Sequence, residues 1–114
     1  MSTNIKQQKL VGVLREARSF LAQPDNDFAW SSWGGAEDAL REIDALILRI
    51  EGDSLPPRID VAVLFAPTGP IQEVSVSSGW GTEFLELADR FDSAVEDAYG
   101  FGLLARLRQF VSQK

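Results

Sequence analysis

Apolar residues recur at every third or fourth position over two long stretches in the first half of the chain. The first stripe is Leu10, Val13, Leu14, Ala17 and Leu21. It predicts a helix that ends before Pro24, because the residue preceding a proline disfavours helical geometry. The second stripe is Ala36, Ala39, Leu40, Ile43, Ile47 and Ile50. It predicts a second helix, and Gly52 follows it where a C-terminal glycine is typical.

The apolar period changes from about 3.6 to two after this second helix. The alternating residues are Ile59, Val61, Val63 and Phe65, followed by Val74 and Val76. Alternation of this kind indicates strands, and the intervening "APTGP" offers Pro67 and Gly69 for a tight turn. These features predict a β-hairpin with the alternating residues facing helices. Val63→Asp would then unfold the domain, because it would bury an unpaired charge.

Two further helices are predicted in the second half. The third spans residues 83–98, with the stripe Phe84, Leu87, Ala88, Phe91, Val95 and Ala98. The fourth spans residues 103–112, and its apolar residues Leu103, Leu104, Leu107, Phe110 and Val111 cover more than one face. We therefore expect one α+β domain over residues 1–114, with four helices packed around a short antiparallel hairpin in the order α-α-β-β-α-α.

Charge is unevenly distributed along this acidic chain of 114 residues, which has a net charge of −6. Residues 1–22 and residues 100–114 each carry a net charge of +3, whereas residues 23–99 carry −12. The acidity argues against a nucleic-acid partner, which would require clustered Lys and Arg. Two interpretations remain: the basic ends pack against the acidic middle, or the acidic middle faces a basic protein partner.

The residue types present limit the chemistry. The chain has no histidine and no cysteine, so the commonest general base, the thiol nucleophile and the softer metal ligands are missing. "SSGWGT" enters a helix, but no Gly-Lys-Ser follows it, and Glu83 and Glu86 in the first helical turn would repel a phosphate. We therefore expect no enzyme activity, no metal site and no cofactor.

Large aromatic residues concentrate in the two loops that precede helices. The candidate partner-binding residues in and near these loops are Asp25, Asp27, Trp30, Trp33 and Trp80. If the two loops meet, the tryptophans would form one cluster beside the two aspartates. Such a cluster is either a small core beneath the loops or a recognition patch, since tryptophan serves both purposes.

The sequence also predicts a cellular location and an oligomeric state. No run approaches the roughly 18 apolar residues of a membrane span, and the start "MSTNIKQQKL" is polar, so we expect a cytoplasmic protein without membrane contact. The broad apolar surface of the fourth helix and the free edge of a two-stranded hairpin predict a homodimer through one of these elements.

The stretch "VLFAPTGPIQEVSVSSGWGTEFLELADRF" resembles small acidic bacterial proteins known only as hypothetical proteins, over about half the chain. This resemblance implies no activity and no role for any residue. In size, acidity and lack of catalytic residues the chain is also similar in type to bacterial immunity proteins. We therefore expect a non-catalytic protein-binding module of immunity or antitoxin kind, which engages a basic partner through its acidic middle. The alternative is a small-molecule-binding or allosteric module that uses the tryptophan-lined loops.

Overall fold

The structure is a computed structural model that describes residues 5–52 and 54–100. Its helices are α1 (Ile5–Leu21), α2 (Ala36–Glu51), α3 (Arg58–Ala62), α4 (Pro70–Ser78) and α5 (Gly81–Tyr99), and a 3₁₀ turn, Val63–Phe65, continues α3. No residue of the described ranges lies in a strand. The α+β expectation is therefore wrong, and the fold is an all-helical bundle.

Helix α1 lies between α2 and α5 and contacts both along its length. Its whole predicted stripe is buried, together with Val11. Arg15 pairs with Glu51 and the later Arg18 pairs with the earlier Asp44, so α1 and α2 are antiparallel. Helices α1 and α5 are also antiparallel, and α4 packs on α5 and touches α1. The helices predicted over residues 10–21, 36–50 and 83–98 are thus confirmed, whereas the helix predicted over residues 103–112 lies outside the described residues.

The first predicted strand is helical, because its apolar residues fit the helical period of about 3.6 as well as the strand period of two. Val61, Leu64 and Phe65 are buried at the helical spacing of three and four, while Ile59 and Val63 point to solvent. Phe65 stacks on Phe91 with ring centroids 4.0 Å apart, which anchors the 3₁₀ turn to α5. The strand interpretation placed Val61 and Val63 on one buried face and did not include Leu64 among the buried residues.

The second predicted strand is helix α4. Pro70 begins this helix at its first turn, where a missing N–H is tolerated, and Gly79 ends it with a left-handed φ of 89°. Ile71, Val74 and Ser75 are buried at helical spacing, whereas Val76 is exposed. Burial on α5 outweighs the strand preference of the valines, which is itself context-dependent.

The expected turn at residues 66–69 exists, although it joins helices and not strands. Its closing bond runs from Gly69 N to Ala66 O at 2.8 Å, and Pro67 holds the second position as expected. The left-handed residue is Thr68, with φ 61°, whereas Gly69 is extended. Glycine is needed at 69 for space, since a Cβ there would come within 2.6 Å of Val63 O. No hairpin forms in the described residues, so they contain no hairpin edge, and the homodimer itself stays a prediction.

Four ion pairs tie α1 to its two neighbours. Arg15 binds Glu51 of α2. Arg18 binds Asp44 of α2 at 2.6 Å. Lys9 lies 3.5 Å from Asp97 of α5. The fourth pair is reversed in sign, with Arg90 of α5 donating twice to Glu16 of α1 at 2.6 and 2.8 Å. The basic start of the chain therefore packs against the acidic middle, which agrees with the first charge interpretation for this end, whereas the cations of the other basic end lie outside the described residues.

Two of these carboxyls have lowered pKa values. Hydrogen bonds from Arg18 lower the pKa of Asp44, and hydrogen bonds from Arg90 lower the pKa of Glu16. A group whose pKa is lowered on folding stabilises the fold above its unfolded pKa, and this stabilisation disappears as the pH falls through its folded pKa. The bundle therefore loses these two contributions in acid and keeps them at neutral pH.

A pH series of urea denaturation tests this electrostatic contribution. Between about pH 6 and about pH 3, the wild type should lose more stability than the double variant Arg18→Gln/Arg90→Gln, which has already lost both pairs. At about 1 M NaCl the two pH profiles should converge, because exposed charges are screened. Parallel profiles at low salt would contradict the pKa assignments.

A pair of aspartate substitutions separates the helical from the strand arrangement of residues 59–65. Val61→Asp should destabilise the domain by about 3 kcal/mol or more, because Val61 is fully buried. Val63→Asp should leave the domain folded, since Val63 is 48% exposed. Thermal unfolding followed by circular dichroism measures both. Equal loss of stability in the two variants would show that Val61 and Val63 share a buried face.

Candidate functional site

The two tryptophan-bearing loops meet at one end of the bundle. The loop between α1 and α2 reaches the turn between α4 and α5, where Trp80 Nε1 donates to Asn26 Oδ1 at 2.9 Å. Asp27 N donates to Ser78 Oγ at 2.8 Å. The Trp80 ring also stacks on Phe20 of α1, with centroids 4.7 Å apart. These contacts fix the first loop against the body of the protein.

Side-chain bonds to the backbone shape the first half of that loop. Asn26 Nδ2 donates to Phe20 O at 2.7 Å and satisfies a carbonyl at the C-terminus of α1. Asp27 Oδ1 accepts from Ala29 N at 2.9 Å, in the local turn typical of aspartate. Ser31 N donates to Phe28 O at 3.1 Å and closes the next turn. We call residues 24–30 the Trp30 loop.

Trp33 belongs to the entry of α2. Its ring is buried, and its Nε1 donates to Glu42 Oε1 at 2.9 Å across two turns of that helix. Asp38 Oδ2 accepts from Gly34 N at 3.1 Å and so satisfies an amide just before the helix. The indole therefore packs on the N-terminal half of α2 and has its polar atom paired.

The five candidate residues divide into two groups. Trp33 and Trp80 are buried in the core, as the small-core interpretation describes. Trp30 is 75% exposed, and Asp25 and Asp27 are exposed beside it on the same loop. The three exposed residues are accessible from solvent, whereas the two buried indoles are not, and Trp80 is the indole that bonds to the loop.

Asn26 and Phe20 are the residues of this site that the sequence pattern did not reveal. Asn26 bonds both to the C-terminus of α1 and to Trp80, and so joins three elements. An asparagine in a loop predicts a local turn, but its bond to a tryptophan 54 residues later has no sequence signal. Phe20 lies beside the predicted stripe of α1, and its ring contact with Trp80 results from the packing of the helices.

The electrostatic state of the Trp30 loop differs from that of α1. Among the described residues, neither Asp25 nor Asp27 takes part in an ion pair, whereas Lys9, Arg15 and Arg18 all pair with carboxylates of other helices. The loop therefore presents negative charge to solvent without a cation from the described part of its own chain.

A shallow groove of about 300 Å³ lies elsewhere, between α1 and the C-terminal end of α2. Gln8, Val11, Gly12, Arg15 and Glu51 line it. No tryptophan contributes to this groove, so it is separate from the Trp30 loop. Across residues 5–52 and 54–100, no group of three or more Asp or Glu side chains is arranged to hold a metal ion.

Within the described ranges, no helix has the length and apolar character needed to cross a membrane. No protein-family model, curated protein or solved structure matches the chain. The resemblance to small acidic bacterial proteins consequently stays a prediction.

Quenching of tryptophan fluorescence by acrylamide tests the placement of the three indoles. The wild type should contain one readily quenched component, because Trp30 is exposed and the other two are buried. Trp30→Phe should remove that component, and the matched control Trp33→Phe should keep it. If Trp33→Phe removes the readily quenched component, the burial assigned to Trp33 and Trp30 is wrong.

Proposed function

We propose that the protein is a non-catalytic binding module that engages a basic protein partner through the Trp30 loop. The observation that supports this proposal is that Trp30 is 75% exposed on a loop that hydrogen bonds fix to the rest of the protein. Large apolar side chains left in solvent are unfavourable, and burying this indole in a complex would recover the lost hydrophobic free energy.

The rigidity of the loop favours binding. Asn26 and Asp27 hold the loop against Trp80 and Ser78, so its backbone is ordered before any partner arrives. Ordering a segment on binding costs free energy, and a preformed loop avoids most of that cost. Truncation of a tryptophan at the centre of an interface typically costs about 2 kcal/mol or more of binding free energy.

The charges beside Trp30 define the chemistry of the partner. Asp25 and Asp27 are exposed on the same loop as Trp30, and the whole chain is acidic, with a net charge of −6. A partner with exposed Lys or Arg around an apolar pocket would complement both features. Electrostatic attraction of this kind increases association rates and selects against acidic competitors.

The type of protein that combines these properties is an immunity protein or antitoxin acting in the cytoplasm. The small size and acidity of this chain and its lack of histidine and cysteine agree with a role that requires binding and no catalysis. The alternative, a small-molecule-binding or allosteric module with tryptophan-lined loops, has less support. Trp33 and Trp80 already donate their indole N–H groups to Glu42 and Asn26 and lie in the core.

Affinity capture from native lysate, with quantification of the retained proteins, tests the proposal. Wild-type protein should retain a basic protein, and Trp30→Ala should weaken that interaction by about tenfold or more. Asp25→Asn/Asp27→Asn should weaken it too and reduce its salt dependence, while the asparagine at 27 still accepts the Ala29 N–H bond.

Leu48→Ala is the matched control, because Leu48 is 69% exposed on α2 and lies outside the Trp30 loop. This variant should retain the partner as the wild type does. Equal retention by wild type and Trp30→Ala, or a partner of acidic character, would contradict the proposal.

A further inference from the structure

The chain leaves the bundle next to the first turn of α3. Helix α5 ends at Tyr99, whose hydroxyl donates to Pro56 O at 2.7 Å. Arg58 Nη1 donates to Gly100 O at 2.9 Å, so α3 holds the backbone at the point where residue 101 begins. Gly100 has a φ of 81°, which glycine adopts readily, and its N–H donates to Glu96 O at 2.8 Å where α5 ends.

Beside this exit, α3 presents an apolar face to solvent. Ile59 and Val63 are four residues apart, so they lie on one side of the α3 and 3₁₀ segment. Ile59 is 68% exposed and Val63 is 48% exposed, while Val61, on the opposite side, is fully buried. We call these two residues the Ile59–Val63 face. It is contiguous with Arg58, which binds the end of α5.

An acidic residue accompanies the face. Asp60 is exposed between Ile59 and Val63 in sequence and lies near the exit of the chain. Burial raises the pKa of Tyr99, Arg49 opposes this effect, and the Asp60 carboxylate raises the pKa further, as expected for a negative charge near the phenol. The surface around the exit thus combines apolar contact area with one carboxylate, Asp60, and with the cations Arg49 and Arg58.

The residues that follow Gly100 have matching chemistry. The sequence "FGLLARLRQFVSQK" contains six large apolar residues, three cations and no carboxylate side chain. Its apolar positions and its cations Arg106, Arg108 and Lys114 complement the Ile59–Val63 face and Asp60. The segment follows Gly100, which binds Arg58, and an extended chain spans roughly 3.3 Å per residue, so it is long enough to reach Ile59 and Val63 of the same short helix.

We propose that residues 101–114 dock on the Ile59–Val63 face of their own chain, with apolar side chains against Ile59 and Val63 and a cation near Asp60. The same segment of a second copy is the competing occupant. Tethering favours the intramolecular arrangement, because a short linker gives an effective concentration in the millimolar range. This docking is independent of the Trp30 loop, which lies at the other end of the bundle.

Amide hydrogen exchange of the full-length protein tests the docking. In the wild type, amides of residues 103–111 should be protected. Ile59→Lys/Val63→Lys should abolish that protection, because it replaces the apolar contacts and repels the basic segment, while the protection of α1 and α5 stays at the wild-type level. Leu48→Lys is the matched control for adding a cation at an exposed apolar position, and it should leave residues 103–111 protected.

A dilution series separates the two occupants. Protection of residues 103–111 should not change between micromolar and submicromolar protein, and light scattering should give a monomer. Protection that disappears on dilution together with a dimer would overturn the proposal in favour of a second copy. Unprotected amides in the wild type, or protection that survives Ile59→Lys/Val63→Lys, would overturn it as well.

Discussion

The burial of α1 between α2 and α5 is the interaction on which the rest of the structure depends. Two neighbours require a broad apolar surface, and α1 provides it through Leu10, Val11, Val13, Leu14, Ala17 and Leu21, all buried. Ion pairs at the margins of that surface fix the antiparallel arrangement on both sides. Exposed pairs contribute little to stability individually. Their role here is to match the basic start of the chain to its acidic middle.

This arrangement gives the molecule two structurally distinct ends. Because α1 is antiparallel to α5, the C-terminus of α1 lies beside the start of α5, where Phe20 stacks on Trp80 and supports the Trp30 loop. The opposite end holds the exit of the chain, where Tyr99 and Gly100 bind Pro56 and the adjacent α3. A partner at the first end and the segment 101–114 at the second would therefore not compete for the same surface.

The segment of residues 59–78 shows why local patterns misled the prediction. Its β-branched residues alternate, which favours strands, yet Val61, Leu64 and Phe65 also fit a helical turn. Pro70 starts α4 and Gly79 ends it, and both are ordinary helix boundaries that equally suit turns next to strands. An isolated hairpin has little stability of its own, whereas two short helices bury Val61, Phe65 and Val74 in the core, leave Val63 and Val76 exposed, and satisfy their backbone internally.

The sequence by itself determined the three long helices, because each carries an uninterrupted apolar stripe that one face can bury. It also determined the candidate loop, since aromatic residues and turn formers concentrate there, whereas it left open whether the basic start would pair with carboxylates of its own chain. The tertiary structure decided the rest. Whether Val63 is buried depends on which period the packing selects. Trp33 and Trp80 lie in the core with their indole N–H groups bonded to Glu42 and Asn26, whereas Trp30 is exposed. These outcomes depend on contacts between residues distant in sequence, and local propensity contains no information about such contacts.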